Sequence, residues 1–237
     1  MGRAKRAIIM AAGRGNRLSP ITDQLAKPMI PVHGMSFLER MVLQLREHGV
    51  EDIFVVTGYR ANDFEIIADQ HEHVHLLYNP YWEHCNNISS LYVARDLLED
   101  TFILDGDQWI ANPSIFQFDF TISSYAAMRQ YGSTREWLLS VEHGRIASCS
   151  RDGGHNGWQL FSLSYWTAMD GKKLKEFVLS DFQISDRQQL YWDDIALFLH
   201  PKDFSLGIRE ICQDDIIEID TLSELIAFDD SYCAYSI

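Results

Sequence analysis

Near its start the chain carries a short uninterrupted apolar run, Ala7-Ile8-Ile9-Met10-Ala11-Ala12, which breaks at once into Gly13-Arg14-Gly15-Asn16-Arg17-Leu18. A run of this length, ended by glycine, reads as a parallel strand buried on both faces. Such a strand needs helices on both sides of its sheet, which commits the chain to an α/β architecture. The glycines let backbone N–H groups approach a phosphate chain closely, because no Cβ stands in the way. Arg14, Arg17 and then Lys27-Pro28 bring positive charge to the same place. Phosphate-binding equipment is thus expected at the carboxyl end of a first strand, where open α/β sheets place their ligands. Neither common glycine fingerprint is present: Gly-Lys-Ser/Thr is missing, and Arg17-Leu18 stand where a dinucleotide loop needs its third glycine.

Charge supports this reading. The net charge is −14, yet residues 1–27 hold six Lys/Arg, including Arg3, Lys5 and Arg6, against one Asp. The remaining residues hold 14 Lys/Arg against 33 Asp/Glu. An acidic surface disfavours nucleic acid and anionic membranes. Basic residues gathered beside a glycine loop suit a small polyphosphate, and the acidic remainder suits a second substrate that carries a cation. No apolar run approaches a membrane span, and six residues between Arg6 and Gly13 are too few for a signal-peptide core, so a cytoplasmic protein is expected. Cys85, Cys149, Cys212 and Cys233 form no Cys-x-x-Cys pair and read as free thiols.

Strand and helix signals alternate through the first half. Phe37-Leu38, Met41-Val42 and Leu45 mark one helix face, ended by Gly49. Strands are expected at 52–57, 74–78 and 101–105, with helices starting near Asn62 and covering 89–98. Short strands at 138–141, 146–150 and 159–163, separated by turn residues, suggest a small antiparallel lobe. Helices near 168–179 and 193–199, a strand at 216–219 and a closing helix at 222–228 complete the chain. One domain over residues 1–237 follows, with a nucleotide-binding part at about 7–130, an acceptor part at about 131–215 and a closing segment at 216–237. His71, His73 and His75 alternate; they could bind a metal on one strand face, but a solvated edge is the plainer reading.

Asp105 and Asp107 close the strand at 101–105, and Glu218 and Asp220 close the late strand. Carboxylates at strand ends converge on the ligand crevice of an open sheet. Magnesium takes one or two carboxylates plus substrate phosphates and water, so a phosphate loop with two such acids makes a metal-assisted nucleotidyl-transfer site.

The string Ala-Ala-Gly-x-Gly-x-Arg-Leu with Lys-Pro following resembles the signature of the sugar-nucleotide pyrophosphorylase-like nucleotidyltransferases. Leu104-Asp105-Gly106-Asp107 and Glu218-Ile219-Asp220-Thr221 look like that family's two metal segments. Tyr78-Asn79, Asn86-Asn87, Ser90-Leu91-Tyr92, Arg135-Glu136-Trp137 and Leu190-Tyr191-Trp192-Asp193-Asp194 are similar to its bacterial choline-phosphate and aminoalkylphosphonate cytidylyltransferase branch. The resemblance implies a Rossmann-like, mostly parallel mixed sheet flanked by helices, of the GT-A type. It also implies transfer of CMP from CTP to a small phospho- or phosphono-alkyl amine.

Ala11, Ala12, Gly13, Gly15, Arg17, Lys27, Tyr78, Asn79, Asn87 and Asp105 would bind the nucleotide; Lys27, Arg17 and Asp107 would act in catalysis. Asp107 and Asp220, with Glu218 as a further candidate, would hold Mg²⁺. Glu136, Trp137, Tyr191, Trp192, Asp193 and Asp194 would meet the acceptor. Three aromatics would favour a quaternary ammonium such as phosphocholine; the adjacent carboxylates would also suit the primary ammonium of 2-aminoethylphosphonate. A sugar-1-phosphate nucleotidyltransferase and a non-catalytic nucleotide sensor are the rival readings. The sequence carries no reading of oligomeric state.

Overall fold

The computed structural model describes residues 4–117 and 121–235; Arg3 lies outside them. β1 (Arg6–Ala11) alternates between two cores, as a strand covered on both faces must. Ala7, Ile9 and Ala11 join one apolar cluster, and Ile8 and Met10 join the other. Burying a side chain such as Ile8 or Ile9 contributes about 1.5–3 kcal/mol. A tiny hairpin follows, β2 (Pro31–Val32) and β3 (Met35–Ser36), which the sequence did not signal. It leads into α1 (Phe37–Glu47), whose N-cap Ser36 accepts from Glu39 N at 3.1 Å. Gly49, at φ 81°, ends the helix by donating to Arg46 O. The helix buries Phe37, Leu38, Met41, Val42 and Leu45, the face expected from spacing.

β4 (Asp52–Thr57), α2 (Glu65–Gln70), β5 (Val74–Tyr78), α3 (Ile88–Val93) and β6 (Thr101–Asp105) continue the alternation. The helix expected over 89–98 is shorter, because a separate 3₁₀ turn takes over at Arg95–Leu97. β1 pairs in parallel with β4 on one side and β6 on the other, and β4 pairs with β5. The chain therefore switches direction across the sheet at β1, and its carboxyl end is the switch point where such sheets bind ligands.

The second half extends the same sheet. β7 (Gln108–Ile110) pairs elsewhere, while β8 (Ser124–Thr134), β9 (Leu138–Glu142), β10 (Arg145–Ser150) and β11 (Gly154–Trp166) form its antiparallel part. β11 runs against β6, β8 and β9 along different stretches and joins the antiparallel strands to the parallel ones. β8 runs through residue 130, so the sheet passes unbroken between the two expected parts. β8 was not foreseen, and β11 is longer than the expected 159–163 strand. Both mix small, polar and aromatic residues, since their faces are covered unevenly along their length.

α4 (Ala168–Asp181) packs against the sheet with Leu174 and Val178. The expected 193–199 helix is a single wide turn, Ile195–Leu199, closed by His200 N donating to Ile195 O. β12 (Gly207–Ile211) pairs in parallel with β8, and β13 (Ile216–Glu218) pairs with β7. α5 (Leu222–Phe228) closes the described chain apart from a last 3₁₀ turn. Among the described residues, no helix is long and apolar enough to cross a membrane.

Candidate active site

A cleft of about 550 Å³ opens at the carboxyl ends of β1 and β6. Its floor is Ala11, Ala12, Gly13 and Gly15, where the chain leaves β1. A Cβ at Gly13 would meet no other atom within 4 Å, so packing does not demand glycine there. Open space beside exposed backbone suits a ligand lying against the chain. Gly15 is different: it sits at φ 67°, and a Cβ would come within 3.0 Å of Lys27 Cβ. The loop therefore packs on the lysine stem and aims it.

Lys27 is buried to 6% exposure, and its Nζ donates to Asp107 Oδ2 and to Asp220 Oδ1, each at 2.8 Å. Burial works against the ammonium, but Asp107 and Asp220 outweigh it and hold its pKa above the ordinary lysine value. Asp220 is likewise desolvated, yet Lys27 and Arg17 hold its pKa below the ordinary carboxylate value. Arg17 Nη2 lies 3.0 Å from Asp220 Oδ2, with its side chain 68% exposed. The capping box of α5 places Asp220: Glu224 accepts from Asp220 N and Thr221 N, while Thr221 Oγ1 accepts from Glu224 N.

Carboxylates continue inward from this pair. Burial raises the Asp105 pKa well above the ordinary value, and Asp107, Asp193 and Glu218 raise it further. Glu218 is pushed up mainly by burial, against a 3.1 Å hydrogen bond from Gln108 Nε2. Held there, Glu218 does not join Asp107 and Asp220 in a three-ligand group among the described residues.

The asparagines act as braces. Asn79 is buried, donates to Ser89 Oγ and Ser90 Oγ, and accepts from Tyr81 N. Asn87 Oδ1 accepts from Trp192 N at 2.8 Å, joining the cleft wall to the 190–194 segment. Tyr78 does not reach the cleft. It opens on a neighbouring groove with Thr57, Arg60 and Leu76, because successive residues leaving a strand point to opposite faces.

The acceptor set divides. Trp137 and Tyr191 meet edge to face at 5.7 Å, and Tyr191 is 49% exposed. Neither lines the cleft itself. Glu136 precedes Trp137 in the chain and adds, after burial and the nearer acids Asp107 and Asp220, to the upward push on the Glu218 pKa. Trp192 is fully buried and stacks on Tyr125 at 5.8 Å, so it serves the core and not the acceptor surface. Asp194 is buried too. Its Oδ1 accepts from Arg151 Nε and Nη2, and its Oδ2 accepts from Tyr191 N, so both oxygens are committed. Asp193 is buried, takes a 3.4 Å bond from Ser162 Oγ on one oxygen, and has its pKa pushed up to about 7, chiefly by burial.

Sequence reasoning missed Arg151, whose guanidinium lies 3.6 Å from the Phe198 ring and 5.6 Å from Trp137. It also missed Trp82 and Ser89 on the cleft wall, and left Ser90, quoted in a motif, without a site role. Trp82 packs where a Cβ at Gly58 would fall, 2.6 Å away. A Trp three residues beyond Asn79 was a usable signal; the Arg151 contacts depend on tertiary folding alone.

A family profile described as nucleotidyl transferase matches residues 6–132. The chain is 36% identical over 229 residues to a 2-aminoethylphosphonate cytidylyltransferase of Lancefieldella rimae, covering 95% of this chain and 92% of that one. It is 30% identical over 223 residues to a choline-phosphate cytidylyltransferase of Haemophilus influenzae, with 92% and 93% coverage. Among solved structures, the CTP:phosphocholine cytidylyltransferase of Streptococcus pneumoniae superposes with a TM-score of 0.87 at 26% identity, covering 95% of this chain and 98% of that one.

Proposed function

The chain belongs to the nucleotidyl transferase family, and from that premise we propose that it is a cytidylyltransferase joining CMP from CTP to a small cationic phospho- or phosphono-alkyl acceptor. The observation that carries the reading is the convergence of Lys27, Asp107 and Asp220 beside a glycine-lined floor, with Asp105 interacting electrostatically with both Asp107 and Asp193, and Asp193 two residues from Tyr191 of the Trp137–Tyr191 pair. An acceptor oxygen attacks the α-phosphorus, the bond from that phosphorus to the β-phosphate oxygen breaks, and pyrophosphate leaves from the far side. The attacking oxygen is anionic at neutral pH, so no strong base is required. Alignment and charge neutralisation do most of the work.

Asp107 and Asp220 fit Mg²⁺: their oxygens already converge on one cation, the Lys27 ammonium. Two hard oxygen donors open to a phosphate loop are what that ion takes. When bound, it would add positive charge against the phosphates. Lys27 turns from the carboxylates to the phosphates, Arg17 follows the exposed end of the triphosphate, and Ala11–Gly13 hold the nucleoside by backbone contacts.

One observation favours the primary-ammonium end of the acceptor class. With Trp192 buried and Arg151 occupying the faces of Phe198 and Trp137, few aromatic faces remain for a quaternary head. Glu136, Glu218 and Asp193 stay unmatched by any cation in the hydrogen bonds and ion pairs of the described residues, and carboxylates serve a primary ammonium through direct hydrogen bonds. The test is pyrophosphate release across four nucleoside triphosphates and several acceptors. CTP with 2-aminoethylphosphonate should lead, by about tenfold in kcat/KM over phosphocholine, the equivalent of about 1.4 kcal/mol. Preference for phosphocholine would move the acceptor assignment to choline. Turnover only with a sugar 1-phosphate would overturn the cytidylyltransferase reading.

A further inference from the structure

We propose that Asp52, His73 and His75 form a binding site for a borderline divalent transition metal, zinc foremost, at the end of the sheet opposite the cleft. One ligand atom from each lies within 4.8 Å of the other two, and His73 Nδ1 is 3.7 Å from Asp52 Oδ1. Tetrahedral zinc bonded at about 2.0–2.1 Å sets its ligand atoms about 3.4 Å apart, so small side-chain rotations close the set. Two imidazoles and a carboxylate suit zinc or its neighbours in the series, whereas magnesium and calcium take oxygen. His73 and His75 are exposed and Asp52 is half-buried, which leaves a fourth position for water.

The backbone prepares this arrangement. Asp52 is the first residue of β4, and His75 lies in β5 opposite Phe54. Phe54 and His75 stack at 4.9 Å, which fixes that imidazole plane. His73 precedes β5 in a left-handed conformation, φ 59°, uncommon for a residue with a Cβ. Its carbonyl accepts from Ile53 N at 3.0 Å, so the turn is bonded to β4 beside Asp52. His71 leaves the group: it caps α2, and its Nε2 faces Glu39 at 4.0 Å. Three alternating histidines thus supply two ligands, and the third comes from the adjoining strand. Arg6 stands across from Asp52 in the β1–β4 register and would oppose the ion, which keeps the site's affinity moderate. His75 pairs with Phe54, three residues before the end of β4, so the site lies roughly 10 Å or more from the cleft. A bound ion would tie β4 to β5, the last strand at this edge of the sheet.

The full chain, held in excess Mg²⁺, is titrated with Zn²⁺ against a chromophoric chelator, and separately with Co²⁺ while visible absorption is read. One equivalent of Zn²⁺ and the visible bands of four-coordinate Co²⁺ are expected from the wild type. His73→Ala and His75→Ala should each weaken binding by about tenfold or more, and the double variant should abolish it. His71→Ala and Asp107→Ala should keep it. Absence of stoichiometric binding by the wild type overturns the proposal. So does binding that survives in the double variant, or that is lost with His71→Ala or Asp107→Ala. The wild-type Co²⁺ spectrum needs no variant to fold, and pyrophosphate release is measured independently of it.

Discussion

Lys27 places its ammonium 2.8 Å from both Asp107 and Asp220, so removing it has two effects at once. The proposed phosphate site loses a fixed positive charge, and two carboxylates are left facing each other. Lys27→Ala should therefore cut turnover by about 100-fold or more in a folded protein, as loss of an electrostatic stabiliser does. Circular dichroism with pyrophosphate release checks this, and near-normal turnover would contradict the assigned role. The neighbours Tyr191 and Trp192 separate two kinds of aromatic. Tyr191→Ala should raise the acceptor KM several-fold and leave the CTP KM unchanged. Trp192→Phe should leave the acceptor KM unchanged, while Trp192→Ala should cost about 3–5 kcal/mol in stability, because that ring is fully buried on Tyr125. Steady-state kinetics and denaturant unfolding distinguish them; an acceptor effect from Trp192→Phe would return that ring to the acceptor surface.

At the scale of elements, α5 matters beyond its seven residues. Its capping box satisfies its own first turn and also holds the backbone of Asp220 against Glu224. Thr221→Ala should lower stability by about 1 kcal/mol, as other lost caps do. It should also lower kcat more than a distant change of equal stability cost, because the carboxylate that faces Lys27 loses its support. Urea unfolding and kcat measured on one preparation test the pair of effects; loss of stability with full kcat would confine the cap to folding. The loop after β1 is a second case. Gly15 makes the turn at φ 67° and abuts Lys27, so a glycine twelve residues before Lys27 helps set the lysine's position.

Across the whole molecule, the acids interact in turn: Asp220 and Asp107 share Lys27, and Asp105 feels both Asp107 and Asp193. Asp193 is the inner end, pushed up to about 7 by burial. Between 3.8 and about 7 the folded chain keeps a proton that the unfolded chain has released, so this contribution to stability is full at low pH and is lost as pH rises through 7. Asp193→Asn, which cannot ionise, should raise the unfolding temperature at about pH 8 and lose that advantage progressively toward about pH 4. Thermal unfolding across pH measures it, and an advantage independent of pH would mean that Asp193 does not titrate in this range. The same change removes a carboxylate from the proposed acceptor side, so kinetics on that variant are read separately from stability.

Sequence alone determined the parallel sheet, the loop after β1 and the identity of the residues at strand ends, because each rests on neighbours along the chain. Apolar runs, helical spacing and the glycines around Arg14 are local signals, and local physics suffices to read them. The partners of those residues were decided only by the tertiary structure. In the string Leu190 to Asp194, Tyr191 points outward, Trp192 inward, and Asp194 is bound to Arg151, 43 residues away in sequence. Tyr78 turns from the cleft while Asn79 lines it. His71 parts from His73 and His75, and Asp52 takes its place. Which way a side chain faces at a turn, and which distant charge meets it, depends on the packing of segments that are not adjacent in sequence. Backbone propensity carries no record of that packing, so these choices appear only once the chain has folded.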